Sequence, residues 1–184
     1  MNFKGILLRM GILVWAVLPA GCAEEQDFDQ YQDLNVTPTV EASMLYVEAP
    51  ERIINQITDI SFVQQTFNFD AFAENFVAER VLDGVVTYEL ENTTSKPLDI
   101  RFEYLDDADN VLDTETFAVP AAPTAVLRRE VAYGGMGNRS IDIIRNTSAI
   151  RLSAANLGDN TSVSSIPDPK VILRSSAKFR IRLK

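Results

Sequence analysis

The chain contains no histidine, one cysteine (Cys22) and one tryptophan (Trp15) among its 184 residues. Histidine is the usual general base at neutral pH and the commonest metal ligand, so its absence removes both roles. A single cysteine excludes an intrachain disulfide and the cysteine-rich zinc sites of small domains. Because Trp15 lies in an N-terminal apolar run, the rest of the chain has no tryptophan on which a sugar ring could stack.

Basic side chains are also scarce. The chain has 17 Lys and Arg against 26 Asp and Glu, which gives a net charge of −9. Such a protein is repelled by phosphate backbones, so nucleic acid is not an expected partner. The apolar fraction of 46% is ordinary for a globular protein. The roughly 160 residues that follow the N-terminal run are enough for one domain with a full core.

The first residues have the layout of a secretory signal. Lys4 and Arg9 precede an apolar or small run over residues 10–20, which ends at Gly21 and Cys22. At 1.5 Å per residue this run would cover only about half of a ~30 Å hydrocarbon core, so it is too short to span a membrane. The pattern therefore predicts a signal peptide over residues 1–21 that is removed during export.

The end of this signal, Leu18-Pro19-Ala20-Gly21-Cys22, resembles the lipobox of bacterial lipoproteins. The resemblance implies that the Cys22 sulfur receives a diacylglycerol and that residues 1–21 are cut away. Cleavage removes Lys4 and Arg9 but no acid, leaving 15 basic and 26 acidic side chains and a net charge of −11. Two acyl chains hold a protein stably, so the membrane is an expected partner through the lipid on Cys22.

Residues 22–40 form an acidic stretch that follows the predicted anchor. It carries five acids and no basic residue, a composition that favours a solvated, flexible tether. Ala23-Glu24-Glu25 is similar to the acids found just after the cysteine in surface-exported lipoproteins of the Bacteroidota. That resemblance implies the outer membrane and the cell surface. Since any lipoprotein linker is polar, the periplasmic face is the alternative location.

Apolar and polar residues alternate along much of the remaining chain. Period-two alternation is clearest in three sets: Val86, Tyr88 and Leu90; Leu98, Ile100, Phe102 and Tyr104; and Phe179, Ile181 and Leu183. Such alternation predicts half-buried antiparallel strands with the apolar side chains inward. Residues 84–119 are predicted to form a three-stranded meander, with further strands near residues 44–48, 60–69, 124–133 and 150–154.

Short helices are predicted near residues 50–56 and 140–145, and another over residues 71–80 with Phe72 and Phe76 on one face. About seven short strands with polar connections indicate a single all-β domain over residues 41–184. We expect an antiparallel β-sandwich of immunoglobulin-like type with one or two short helices. The comparison concerns architecture only, because the Cys…Trp…Cys pattern of immunoglobulins is absent.

Three short motifs suggest chemistry, and a structural interpretation is preferred for each. Ser175 and Lys178 match S-x-x-K, but a strand would send them to opposite faces. Residues 106–110 offer oxygen ligands for calcium but lack the EF-hand pattern, so a plain turn is expected. Residues 134–137 are glycine-rich yet lack the lysine of a phosphate loop, so they are interpreted as a connection. No metal site, cofactor or catalytic residue is predicted.

The last strand carries the one basic patch of an acidic protein, formed by Lys178, Arg180, Arg182 and Lys184. It could dock an acidic partner or lipid headgroups. The preferred interpretation is a solvated outer face, with the lysines available to block pairing at a sheet edge.

These observations lead to a functional hypothesis. The chain is expected to be a non-catalytic, lipid-anchored binding or scaffold subunit of a cell-envelope complex, with an envelope protein as partner. One alternative is a carboxylate-based polysaccharide hydrolase. Another is a surface glycan-binding module that uses Tyr88, Tyr104 or Tyr133.

Overall fold

A computed structural model describes residues 35–57, 61–69, 78–123, 126–137 and 139–183. These residues form eight strands and two short helices. The strands are β1 (Thr39–Pro50), β2 (Ser61–Asn68), β3 (Val81–Asn92), β4 (Leu98–Leu105), β5 (Val111–Val119), β6 (Leu127–Gly134), β7 (Ala149–Asn156) and β8 (Lys170–Ile181). The helices are α1 (Glu51–Ile54) and α2 (Ile141–Arg145). Ser140 begins α2, since its hydroxyl accepts from the Asp142 N–H at 3.1 Å.

The strands form two four-stranded antiparallel sheets. The first sheet has the order β1-β8-β3-β6 and the second the order β2-β7-β4-β5. The pairs β4–β5 and β2–β7 lie in the second sheet, and the pairs β3–β6 and β1–β8 in the first. In the sequence, β4–β5 is the innermost pair, and it is enclosed in turn by β3–β6, β2–β7 and β1–β8. The chain therefore follows the path of one long hairpin that is folded over into two layers. This connectivity is that of an eight-stranded jelly roll.

The predicted all-β antiparallel sandwich with short helices is confirmed. Its strand order refines the comparison with immunoglobulin architecture to a jelly roll. The predicted meander over residues 84–119 is wrong, because β3 and β4 lie in different sheets and do not pair. Residues 93–97 instead cross from one sheet to the other. Alternation marks one apolar side of each strand, but it does not say which sheet the strand joins.

The folded domain begins earlier than the predicted boundary at residue 41. β1 starts at Thr39, and Thr39 and Val40 pair with Arg180 and Phe179 of β8. The carbonyls of Val36 and Pro38 also accept backbone hydrogen bonds, at 2.9 and 3.0 Å. Residues 35–40 therefore belong to the sandwich rather than to the tether. The signal, Cys22 and the rest of the tether lie outside the described residues, as does most of the predicted helix with Phe72 and Phe76.

The core lies between the two sheets and is rich in aromatic side chains. Tyr88 of β3 packs against Phe102 of β4 and Phe117 of β5, with ring centroids 4.9 and 5.3 Å apart. Each of these rings is at most 2% exposed. Burial of such a side chain contributes about 1.5–3 kcal/mol, so this cluster is a main source of stability in a domain without a disulfide.

Candidate functional site

The outer face of the first sheet carries ordered stripes of charge, and we call it the striped face. Acids project from β1 and β3, basic residues project from β8 between them, and β6 carries both Arg128 and Glu130. The pairs are Glu48–Lys170, Glu91–Arg174, Asp83–Arg180 and Glu89–Arg128. Exposed pairs contribute only about 0–1 kcal/mol each, so these contacts organise the surface more than they stabilise the fold.

A trough of about 360 Å³ lies in the middle of the striped face. Its floor carries three hydroxyl side chains from adjacent strands: Ser43 of β1, Ser176 of β8 and Thr87 of β3. The strand register places Ser176 opposite both Ser43 and Thr87, so the three lie in one row across the sheet. Because the neighbouring rows carry long charged side chains, this row of small ones forms the depression.

A β-bulge in β1 determines which of its side chains face outward into the trough. The register between β1 and β8 shifts between Ser43 and Leu45, which leaves Met44 as the extra residue. Ser43 therefore faces outward while Leu45, only 8% exposed, packs toward the core. Without the bulge, Ser43 and Leu45 would lie on the same side of the strand.

Four charged residues and one tyrosine line the sides of the trough. Glu41, Glu89, Arg128 and Arg174 supply two charges of each sign. Arg128 Nη1 lies 3.0 Å from Glu89 Oε1, and the Arg174 guanidinium lies 5.9 Å from the centre of the Tyr46 ring. Tyr46 is 59% exposed and donates its hydroxyl to Glu48 at 2.9 Å. The trough thus combines hydroxyls, balanced charge and one exposed aromatic ring.

The predicted basic patch lies on the same face, farther along β8. Lys178, Arg180 and Arg182 are exposed, as predicted, and Lys184 lies outside the described residues. However, β8 lies between β1 and β3, so the suggestion that the patch guards a sheet edge is wrong. Arg180 makes a bidentate contact with Asp83, and this hydrogen bonding lowers the pKa of the Asp83 carboxyl.

One further expectation at the end of β8 is wrong. Alternation predicts that Leu183 faces inward with Phe179, but Leu183 is 51% exposed because β8 ends at Ile181. Phe179 does reach the core, at 8% exposure. Docking of a partner at the basic patch stays a prediction.

The three tyrosines considered for sugar binding are buried. Tyr88, Tyr104 and Tyr133 are each at most 1% exposed. The prediction that they form a sugar-binding platform is therefore wrong. They lie on the core-facing sides of β3, β4 and β6. The Tyr88 and Tyr104 hydroxyls share a hydrogen bond, and Tyr133 donates to Asp113 Oδ2 at 3.0 Å. Burial raises the pKa of all three phenols well above the ordinary value.

A cluster of two acids and two arginines closes the seam between the sheets at β5 and β6. Asp113 and Glu115 lie on the same side of β5, and Arg139 contacts both. Arg129 adds a hydrogen bond to Glu115 at 3.0 Å and places its guanidinium 4.2 Å from the centre of the Phe117 ring. Both carboxylates are therefore held by guanidinium groups. The sequence analysis missed this cluster, although Arg129 stands among the apolar residues of a predicted strand.

A second polar cluster, also missed, holds the crossing segment 93–97 against other loops. Asn92 donates to the Lys96 and Pro120 carbonyls, at 2.7 and 2.9 Å. Its side-chain carbonyl accepts from the N–H and the hydroxyl of Thr94. Lys96 is 1% exposed and donates to the Ser162 carbonyl at 2.8 Å and to Asp159. These contacts order the long loop before β8.

Acidic side chains in the same cluster are held in their charged form. Burial alone would raise the pKa of Glu51, but hydrogen bonds from Ser95 and Ser164 prevail and lower it below its ordinary value. The pKa of Asp159 is held far below its usual range by hydrogen bonds from Ser162 and Thr161 and by Lys96.

The motifs set aside in the sequence occupy structural positions. Ser175 is buried while Lys178 points outward, on opposite faces of β8 as expected. Asp106 Oδ1 accepts from the N–H groups of Ala108 and Asn110, both at 2.9 Å, which makes residues 106–110 a tight turn. Gly134 and Gly135 adopt positive φ in another turn. Within the described part of the chain, no three side chains of metal-binding type converge.

Comparisons with known proteins find remote structural likeness. No family model and no curated protein matches the chain. Among solved structures it is similar to the infectious bursal disease virus VP2 subviral particle, with 10% identity and a TM-score of 0.38 over 82% of this chain and 33% of that one. It also resembles Bacillus endospore appendages that form disulfide-linked pili, with 8% identity, a TM-score of 0.36 and coverage of 82% and 92%. The chain spans about a third of the VP2 protein.

None of the described helices has the length and apolar character needed to cross a membrane.

Proposed function

We propose that the chain is a non-catalytic binding subunit of a cell-envelope complex, anchored in the bacterial outer membrane by lipid on Cys22. The observation that carries this proposal is Leu18-Pro19-Ala20-Gly21-Cys22 at the end of a signal-like run. The segment between Cys22 and the start of the sandwich at residue 35 is short. If these residues form the flexible tether that their composition predicts, their typical reach is about 20 Å, and the proposed anchor would hold the domain close to the membrane.

The striped face is the surface that meets the partner under this proposal. It is broad, built on a rigid four-stranded sheet, and ordered by cross-strand ion pairs such as Arg128–Glu89 and Arg180–Asp83. Complementary charge patterns of this kind select partners and set association rates more than they add affinity. Lys178 and Arg182 extend the face beyond the trough.

The arrangement of acids favours binding over hydrolysis. A glycosidase needs one carboxylic acid and one free carboxylate on either side of a sugar bond. Asp113 and Glu115 at the β5–β6 seam are instead engaged by Arg129 and Arg139, and Glu89 of the trough is engaged by Arg128. The absence of histidine from the whole sequence removes the other usual acid–base group.

The anchor is tested by Cys22→Ser, because the substitution removes the only thiol that could be acylated. We expect this variant to leave the membrane fraction, and we expect mass analysis of the wild type to find acyl chains on Cys22. Gln26→Ser, a polar change four residues later, is the control and should stay membrane-bound. Membrane retention of the Cys22→Ser variant would refute the anchor. Protease treatment of intact cells then distinguishes the cell surface from the periplasmic face.

The binding role is tested by crosslinking in intact cells followed by purification. We expect a defined envelope protein to co-purify with the wild type and to be lost with Arg180→Glu and Arg182→Glu together. The control is Arg101→Glu with Arg151→Glu, which makes the same change in charge on the outer face of the second sheet. Equal recovery with both double variants would exclude the striped face as the docking surface.

A further inference from the structure

We propose that the trough in the striped face binds a neutral polysaccharide. This inference rests on the proposed binding role and assigns the trough to a sugar, whereas the protein partner is assigned to Lys178, Arg180 and Arg182 farther along β8. It does not depend on the anchor. The juxtaposition that supports it is a row of hydroxyls from three adjacent strands, flanked by two acids, two arginines and an exposed tyrosine.

The floor has the hydrogen-bonding character that sugars require. Ser43, Ser176 and Thr87 each carry a hydroxyl that both donates and accepts, which matches the hydroxyls of a sugar without regard to their orientation. Adjacent strands lie about 4.8 Å apart, so a row across three strands extends about 10 Å and can follow more than one sugar ring. The volume of about 360 Å³ falls within the range of small-molecule sites.

The balance of charge selects an uncharged ligand. Glu41 and Glu89 oppose an anionic chain, while Arg128 and Arg174 oppose a cationic one. The planar carboxylate and guanidinium groups can instead make paired hydrogen bonds to neighbouring hydroxyls. Phosphorylated or strongly acidic ligands are further disfavoured by the net charge of the whole chain, −9.

Tyr46 supplies the apolar contact at the rim. Its ring is exposed beside the floor, with Arg174 over it, whereas the described tyrosines of β3, β4 and β6 are buried in the core. Arg174 lies over one face of the ring and the hydroxyl donates to Glu48, so the opposite face is the one offered to the C–H side of a sugar. A tyrosine platform does exist, therefore, at a residue that the sequence analysis did not select.

The test uses the full-length protein in detergent and immobilised neutral polysaccharides: a β-glucan, an α-glucan, a mannan and a xylan. We expect retention on at least one of them, weakened about tenfold or more by Tyr46→Ala, the loss expected for one good contact. Ser176→Leu fills the floor from outside the core and should abolish retention. Ser153→Leu is the control, since Ser153 faces outward on the central strand β7 of the second sheet.

Four outcomes would overturn the proposal: no retention on any of the four polymers, retention that survives Ser176→Leu, retention unchanged by Tyr46→Ala, or equal loss with Ser153→Leu. All three substitutions lie on outer faces, so we expect each variant to fold like the wild type. Thermal melting of each variant checks this expectation. The anchor fails separately, if Cys22→Ser leaves the protein in the membrane while sugar binding persists.

Discussion

The hydroxyls of Tyr88 and Tyr104 share a hydrogen bond across the interface between the two sheets. Tyr88 belongs to β3 and Tyr104 to β4, and both phenols are almost wholly buried. Tyr104 also packs edge-on against the Tyr133 ring, with ring centroids 6.1 Å apart, and Tyr133 in turn donates to Asp113 Oδ2. The Tyr88 and Tyr104 hydroxyls therefore satisfy each other within the apolar core.

Replacing one phenol of this pair should leave the other hydroxyl buried without its partner. Tyr104→Phe orphans the Tyr88 hydroxyl and Tyr88→Phe orphans the Tyr104 hydroxyl, so we expect each to lose about 1–3 kcal/mol in the free energy of unfolding. The two values are measured by urea denaturation.

The double variant provides the control for this prediction. When both hydroxyls are removed together, neither ring is left with an orphaned polar group between the sheets. Tyr88→Phe combined with Tyr104→Phe should therefore cost less than the sum of the single changes. Additive losses would contradict the hydrogen bond between the two phenols.

The alternation of apolar residues is enough to predict the strands but not their partners. Leu90 and Leu98, on either side of the 93–97 connection, both face the core, as their spacing predicts. They do so from opposite sheets, because the connection crosses the sandwich instead of making a hairpin. Asn92 holds this crossing segment through hydrogen bonds to the carbonyls of Lys96 and Pro120, and Pro120 lies 28 residues away in the sequence. Local pattern cannot reveal such a contact.

The candidate site cannot be predicted from the sequence for a similar reason. Ser43, Thr87 and Ser176 are ordinary residues in three separate strands, and only the register between β1, β8 and β3 places them in one row. The β1 bulge at Met44 changes the face of every residue before it. Conversely, Arg129 among apolar neighbours is a visible signal of the ion pairs at the β5–β6 seam.

Lys96 is predicted to hold the loop over residues 157–169 in place. Its ammonium group is buried and donates to the Ser162 carbonyl and to Asp159. Lys96→Met keeps the length of the side chain but removes both hydrogen bonds, so we expect a loss of about 1–3 kcal/mol. Hydrogen exchange should rise in the loop more than in β3. The measurements are urea denaturation and exchange detected by mass spectrometry.

Lys178→Met is the matched control for the Lys96 variant. Lys178 is exposed on the outer face of β8, so the same substitution there should change the free energy of unfolding by less than about 0.5 kcal/mol. Comparable losses at both positions, or unchanged exchange in the loop of the Lys96→Met variant, would show that Lys96 does not order the loop.

Acid should weaken the domain partly through Glu51. The hydrogen bonds from Ser95 and Ser164 lower the folded pKa of this carboxyl below its unfolded value, so the folded state binds its proton less readily. The stabilisation is therefore complete above the ordinary carboxyl pKa of about 4.3 and is lost as the pH falls through the lowered folded value. Urea denaturation at a series of pH values from neutral to strongly acid measures this slope.

Glu51→Gln should flatten the acid dependence and reduce stability at neutral pH, because an amide is a weaker acceptor for the Ser95 and Ser164 N–H groups. Glu41→Gln makes the same change in charge on the exposed part of β1 and is expected to retain the slope of the wild type. A Glu51→Gln variant with the full acid dependence would mean that other carboxylates, such as Asp159, account for it.

Gly84 is predicted to be essential for packing between β3 and its neighbours. It faces the core opposite Phe179 of β8, and a Cβ atom at this position would collide with the Phe179 ring. Gly84→Ala should therefore force the ring to move and cost about 1–3 kcal/mol, measured by thermal or urea denaturation. Val85→Ala, one residue along and on the outer face, is the control and should cost about 1 kcal/mol or less.

Combining Gly84→Ala with Phe179→Leu, which makes room for the new methyl group, should cost less than the two single changes together. A Gly84→Ala variant as stable as the wild type would show that Phe179 has space to retreat and that the glycine is dispensable.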